Sequence, residues 1–213
     1  MYFGQAEQDK FVLNVLKEKK DGFFLEIGSN HPINISNSYT LEKNYGWKGI
    51  MVEYDENFLD SYREHRPNSI HIINNATQID YKNTFITNNV PLSIDYLQID
   101  LEEHNGSTLE TLQRLDNEVF DEYKFATITF EHDIYRSNCN NTREISRQIF
   151  NKRGYICVFT DINNGGVNPY EDWYVHPDLV DMDYINTLIE NNNKHYVENS
   201  VTEKTINWQD ITY

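Results

Sequence analysis

Short runs of apolar residues alternate along the chain with segments whose apolar residues recur at helical spacing. Residues 23–27 form a run of the first kind that ends at a glycine, which is typical of a buried strand. Such runs predict six strands, at residues 23–27, 49–53, 69–73, 94–101, 125–130 and 155–160. Helical spacing predicts helices at residues 5–20, 37–45, 57–64, 107–115, 142–152 and 179–191.

This alternation predicts an α/β fold, a doubly wound and mostly parallel sheet with helices on both faces. We expect a single domain over residues 1–213, with its core at about residues 22–160. Residues 161–177 are predicted to form a long, aromatic-rich loop. The last helix and a polar tail from residue 192 follow it.

The net charge of the chain limits the kinds of molecule that it is expected to bind. The 213 residues include 18 Lys and Arg against 34 Asp and Glu, which gives a formal charge of −16. That charge opposes binding to nucleic acid or to an anionic membrane surface, so we expect neither partner. It suits a small neutral or cationic ligand, or serves solubility alone.

The lack of a targeting pattern and the small number of cysteines predict a reducing compartment. No apolar run approaches the ~20 residues of a membrane-spanning helix, and the first residues lack the pattern of a signal peptide. Cys139 and Cys157 lack the spacing of a disulfide framework or a metal site. We therefore expect a cytoplasmic protein with free thiols, of undetermined oligomeric state.

Candidate binding residues follow the first three strands, because ligands of parallel sheets bind at the carboxyl ends of the strands. Glu26 and Gly28 stand at the end of the first strand. Glu53 ends the second, where a carboxylate can accept ribose hydroxyls, and we favour this over a solvated turn acid. Asn75 and Ala76 follow the third, where they hold an adenine edge or simply form a turn. The glycine fingerprint of NAD-binding proteins is absent, which argues against a nicotinamide-dependent oxidoreductase.

Acidic residues cluster after the fourth and fifth strands. Asp100 and Glu102 would repel each other at one strand end, which indicates a nearby cation, metal or proton. The fifth strand ends in Glu131, His132 and Asp133. A histidine between two acids is a candidate general base, or it merely caps the strand. No metal is firmly predicted, although Asp100 with Glu131 and either His132 or Asp133 would be plausible ligands.

Several segments resemble the FkbM-type branch of the S-adenosylmethionine-dependent methyltransferases. The most specific segment runs from residue 24 to residue 53, and an opening with Gln5 and Asp9 precedes it. The other similar segments are residues 94–102, 131–132, 154–155 and 171–175. The chain departs from the family pattern at His31-Pro32 and at Glu102-Glu103, so no contact is carried over at those positions.

The resemblance implies a Rossmann-like class I methyltransferase fold with a final antiparallel strand. It also implies methyl transfer to a hydroxyl of a sugar or glycan, with S-adenosylmethionine as donor and S-adenosylhomocysteine as product. The cofactor-binding residues that it implies are Glu26, Gly28, Ser29, Asn30, Asn37, Glu53, Asn75, Ala76 and Asp100.

For the chemistry, we expect His132 to take the proton of the acceptor hydroxyl, oriented by Glu131 or Asp133. Asp100 and Glu102 are the rival bases, a divalent metal is an alternative, and Glu102 is also a candidate substrate contact. Tyr170 and Trp173 of the predicted loop either stack on a sugar ring or cover the sheet edge. The remaining alternative is a non-catalytic nucleoside-binding or interaction module that keeps the fold.

Overall fold

The computed structural model describes residues 1–136, 140–163 and 168–198. Its strands are β1 (Phe23–Ile27), β2 (Lys48–Glu53), β3 (Ile70–Ile73), β4 (Ser93–Ile99), β5 (Lys124–Glu131), β6 (Ile156–Ile162) and β7 (Glu171–Val175). Its helices are α1 (Gln8–Val15), α2 (Tyr39–Tyr45), α3 (Leu59–His65), α4 (Tyr81–Thr87), α5 (Ser107–Glu118), α6 (Asn140–Lys152) and α7 (Met182–Glu198). Single turns of 3₁₀ helix lie at Glu56–Phe58, Ala76–Gln78 and Glu103–Asn105.

All seven strands form one sheet in the order β3-β2-β1-β4-β5-β7-β6. The first five strands pair in parallel, and β7 runs antiparallel to both β5 and β6. The predicted doubly wound, mostly parallel sheet is thereby confirmed. The strand order reverses between the neighbours β1 and β4, where the amide of Asp100 donates to the carbonyl of Ile27 at 3.0 Å. This switch point is where such sheets bind ligands.

The sheet separates two apolar cores, since successive side chains of a strand point to opposite faces. One core packs Leu25 and Ile27 of β1 against α4, α5 and α6, through side chains such as Phe150. The other packs Phe24 and Trp173 against helices that include α1 and α7. Both faces of the sheet are covered, which explains why the central strands β1, β4 and β5 are buried along almost their whole length.

The prediction of a loop over residues 161–177 is wrong, because β6 extends to Ile162 and β7 lies within the segment. Strand β7 begins with two acids, Glu171 and Asp172, which are uncommon in buried strands, so the sequence pattern did not indicate a strand here. Both side chains are nevertheless buried, with Gln8 hydrogen-bonded to the first and Arg147 to the second. Helix α4 was not predicted either.

Some sequence-based predictions lie outside the described residues. Cys139 and the end of the polar tail, residues 199–213, are among them. Cys157 is described and is a free, half-buried thiol. In the part of the chain that the structure covers, no helix combines the length and the apolar character needed to cross a membrane.

Candidate ligand site at the carboxyl edge of the sheet

Two adjoining cavities open beyond the carboxyl ends of the strands. One, of about 470 Å³, lies beyond β2 and β3, and the other, of about 390 Å³, lies beyond β1, β4 and β5. We call them the β3-side and β5-side cavities and, together, the groove. They share Glu53, Tyr54, Leu101 and Glu102. A cavity of about 550 Å³ lies at the opposite, amino edge, where parallel sheets do not usually bind ligands.

Gly28 allows β1 and β4 to come together at the floor of the groove. Its φ of +84° belongs to the left-handed region, and a Cβ at this position would overlap the carbonyl oxygen of Asp100. Its amide, like that of Ser29, donates to the carbonyl of Val52. The predicted turn after the first strand is thus a close approach of three strand ends. Gly28, Ser29 and Asn30 all line the β5-side cavity.

Glu53 lies where the two cavities meet. Its Oε2 accepts the amide of Asn30 at 2.7 Å, and its Oε1 accepts the amides of Tyr54 and Asp55 at 2.8 and 2.9 Å. A carboxylate offers about four acceptor positions, so one on Oε2 remains for a ligand hydroxyl. Asn75 and Ala76, the candidates for contact with an adenine edge, line the β3-side cavity next to it.

Arg66 supports the wall of the β5-side cavity that carries Glu26. It was not predicted from the sequence. Its fully buried guanidinium donates to Glu42 at 2.9 Å and to the hydroxyl of Ser38 at 2.6 Å. It also lies 3.8 Å from Oε2 of Glu26, which moderates the rise in pKa that burial causes at this carboxyl. This role could not be predicted from the sequence, because Arg66 follows an exposed, charged helix and its partners lie 24 to 40 residues away in the chain.

Four buried oxygen atoms of the β5-side cavity have no hydrogen-bond partner within the described part of the chain. They are Oε2 of Glu26, Oδ1 of Asn37, Oε1 of Gln98 and Oδ1 of Asp133. Each belongs to a residue that is at most 4% exposed. Buried acceptors normally find donors, so this cavity fits a ligand that brings N–H or O–H groups.

Asp100 and Glu131 form a hydrogen-bonded carboxyl pair on the wall of the same cavity. Burial raises the pKa of both carboxyls, and their mutual repulsion raises that of Glu131 further. The pair therefore retains a proton, which Glu131 donates to Asp100. Asp133 lines the cavity next to them, and its Oδ2 accepts from Nε of Arg136 at 2.9 Å.

The structure places His132 away from the groove, contrary to its expected role as base. Its side chain is fully buried, with Nε2 at 3.4 Å from Asp172 and 3.7 Å from Asp161. It lies against Asp172, whose register partner Phe130 is on the face of the sheet opposite to Glu131. A general base must come within hydrogen-bond distance of the substrate hydroxyl whose proton it takes. Asp100 lines the groove and His132 does not, so Asp100 is the favoured base.

Of the candidate metal ligands, Asp100, Glu131 and Asp133 lie next to one another in the β5-side cavity, whereas His132 lies apart from them. Among the described residues, the group with metal-ligand spacing is His132, Asp161 and Asp172, whose ligand atoms lie within 4.8 Å of one another. Arg143 donates to Asp161 at 2.7 Å, and Arg147 donates to Asp172 at 2.7 Å. Two guanidinium groups already balance these carboxylates, so the group fits an ion-pair network better than a cation site.

The predicted aromatic substrate contacts are buried in the protein. Trp173 packs 4.7 Å from the ring of Phe11, and Tyr170 is 8% exposed. Neither residue lines the groove, and Trp173 belongs to strand β7 itself. Glu102 does line the groove. Tyr54 also lines it with 77% of its surface exposed, although it was not predicted as a contact.

Comparisons with known proteins concern the fold. No protein-family model and no curated protein matches the sequence. The chain is similar to a solved structure provisionally named an rRNA methylase of Clostridium thermocellum, with a TM-score of 0.54 and 8% identity over 82% of this chain and 98% of that one. A TehB-like S-adenosylmethionine-dependent methyltransferase of Corynebacterium glutamicum gives 0.51 and 10% over 82% and 88%. The methyltransferase domain of METTL16 gives 0.52 and 10% over 81% and 67%. At such identities the likeness shows the fold alone: the chain has the Rossmann-like class I fold of S-adenosylmethionine-dependent methyltransferases.

Proposed function

We propose that the chain is an S-adenosylmethionine-dependent methyltransferase that methylates a hydroxyl of a small acceptor, a sugar or glycan. The observation that carries the proposal is the set of buried oxygen atoms in the β5-side cavity, at the switch point of the sheet, that accept no hydrogen bond within the described residues. A donor with an ammonium group, ribose hydroxyls and a cationic sulfur supplies the hydrogen-bond donors and the charge that this acidic cavity lacks.

The groove has a place for each part of the donor. Glu26 and Asn37 offer free acceptors to the ammonium group in the β5-side cavity. Glu53 offers its remaining acceptor position to the ribose. Tyr54, with its exposed ring, and Leu101 both line the β3-side cavity and would hold the adenine there.

The donor supplies an electrophilic methyl group whose bond to sulfur breaks as the bond to the acceptor oxygen forms. Asp100 takes the proton that the hydroxyl loses, because its raised pKa makes it a stronger base than an exposed carboxylate. Glu131 holds its own proton and donates to Asp100, which keeps that carboxylate oriented. The walls of the groove align the two reactants, and alignment contributes up to ~7–11 kcal/mol in favourable systems.

Two features support a hydroxylated acceptor. Carboxylates such as those of Glu102 and Asp133 accept hydrogen bonds from sugar hydroxyls, and the sequence resembles the FkbM-type branch. RNA is the less favoured acceptor, because the charge of −16 opposes a phosphate backbone. The similarity to a protein named for rRNA concerns the fold and carries no argument about the substrate.

Calorimetry with S-adenosylhomocysteine tests the donor site directly. We expect binding, and we expect Glu53→Ala to weaken it while Glu56→Ala, on the exposed turn nearby, leaves it unchanged. Isotope-labelled donor, incubated with sugar and glycan pools and followed by mass spectrometry, then identifies the acceptor. Binding without transfer to any pool would support the non-catalytic module instead. No binding at millimolar nucleoside would overturn the proposal.

A further inference from the structure

We infer that the turn at residues 4–7 forms a wall of the donor site and that the side-chain amide of Gln5 binds the carboxylate of the donor's methionine portion. The inference rests on the proposed function and assigns a role to the Gln5 and Asp9 pattern, which that function leaves unexplained. Gln5 lines the β5-side cavity with an exposed side chain.

The turn has a fixed conformation. The amide of Glu7 donates to the carbonyl of Gly4 at 3.1 Å, and the amide of Ala6 donates to Oε1 of Gln8 at 2.8 Å. Asp9 is fully buried, and its Oδ2 accepts the amide of Phe3 at 2.8 Å. These bonds fix the position in which Gln5 is presented to the cavity.

Gly4 brings the turn against the groove. It bridges to Ile35, and a Cβ on it would lie 2.8 Å from Oδ1 of Asn37 and 2.7 Å from Oε1 of Gln8. The backbone of the turn therefore touches the wall that carries Asn37, one of the free acceptors proposed for the ammonium group. Gln5, the next residue, stands at the same end of the cavity.

The cavity needs a donor at this end. The ligand's carboxylate would enter a space lined by acids that include Glu26, Asp100 and Glu131. The two nearby arginines are already engaged, Arg66 with Glu42 and Arg136 with Asp133. A neutral amide such as that of Gln5 can donate to a carboxylate without cancelling the negative charge that the sulfonium requires.

The test compares two nucleosides in the full chain. S-adenosylhomocysteine carries the amino-acid portion, and 5′-methylthioadenosine lacks it. We expect Gln5→Ala to lower the affinity for S-adenosylhomocysteine about 10-fold, because one hydrogen bond to a charged group is lost. The affinity for 5′-methylthioadenosine should stay unchanged. Gln5→Glu should weaken the first further, because it places a carboxylate against a carboxylate.

Gln113→Ala, on the exposed face of α5, is the matched control and should change neither affinity. Unchanged affinity of Gln5→Ala for S-adenosylhomocysteine, or an equal loss for both nucleosides, would overturn the inference alone. If the unaltered protein bound neither nucleoside, the proposed function would fail together with the inference. Thermal melting of each variant shows whether the fold is retained.

Discussion

Glu131 and Glu171 are direct register partners across the antiparallel strands β5 and β7. Paired positions place their side chains on the same face of a sheet, so both carboxyl groups lie on one face. Each of them also experiences the charge of Asp100, which disfavours its ionised form. Burial raises the pKa of Glu171 to about 8, and Asp100 adds to the rise. The floor of the candidate site therefore retains protons at neutral pH.

Replacing Glu171 should flatten the pH dependence of stability. The folded pKa of about 8 exceeds the ordinary 4.5, so the folded state binds more protons between these values. The free energy of unfolding then falls as the pH rises from about 4.5 to 8, and the loss is complete above that range. Glu171→Gln cannot ionise, so its loss between pH 5 and pH 8 should be smaller by about 3 kcal/mol.

Urea unfolding of both proteins at the two pH values measures this difference. Glu144→Gln, an exposed carboxyl on α6, is the control and should retain the full slope. An identical slope in Glu171→Gln and the unaltered protein would mean that Glu171 ionises normally in the folded state.

Asp100→Asn should abolish most of the methyl transfer. Asparagine keeps the size of the side chain but cannot accept the acceptor's proton, and loss of a general base costs about 10²- to 10⁴-fold. In the unaltered protein, kcat/KM should rise with pH, because the base works only when ionised and burial raises its pKa. The variant should lose this rise, while its affinity for S-adenosylhomocysteine falls far less.

Rates across pH, together with calorimetry, separate these effects. Asp60→Asn, a 93% exposed carboxyl on α3, should match the unaltered protein in both measurements. If Glu102→Gln lost more activity than Asp100→Asn, the role of base would pass to Glu102.

Residues at strand ends could be predicted from the sequence because their position depends on local pattern. Gly28 and Glu53 each follow an apolar run, and the groove contains both. The choice between Glu131 and His132 could not be made in this way. Adjacent residues of a strand face opposite sides, and only the packing of α1 and α6 decides which side meets the ligand.

Contacts between distant segments were also beyond the sequence pattern. Arg66 is buried by partners on three separate segments, including Glu26 and Glu42. Strand β7 was not predicted because Glu171 and Asp172 are residue types typical of exposed loops. Their burial depends on hydrogen bonds from Gln8 and Arg147, which are distant in the sequence. In each case a polar residue became compatible with burial only through a partner far away in the chain.

His132→Asn should reduce stability more than activity. The imidazole lies between two carboxylates in a network with Arg147, and losing a partner of a buried charged group costs about 1–3 kcal/mol. The groove, at the carboxyl edge of the sheet, is not lined by His132 and should be little affected. Thermal melting should therefore show a lower Tm, with nearly normal turnover per folded molecule.

His65→Asn, a more exposed histidine at the end of α3, controls for loss of an imidazole and should change neither quantity. A turnover reduced about 100-fold at unchanged Tm would instead restore His132 as the general base.

Gly28→Ala should be far more harmful than Gly154→Ala, although the two glycines share a φ of +84°. A Cβ in this region costs about 1–2 kcal/mol at either position. At Gly154 it would meet no atom within 4 Å among the described residues, whereas at Gly28 it would overlap the carbonyl of Asp100. Relieving that overlap must separate the ends of β1 and β4, so Gly28→Ala should also lose affinity for S-adenosylhomocysteine. Equal losses of stability in the two variants, measured by urea unfolding, would show that the close approach at the switch point is not essential to the fold.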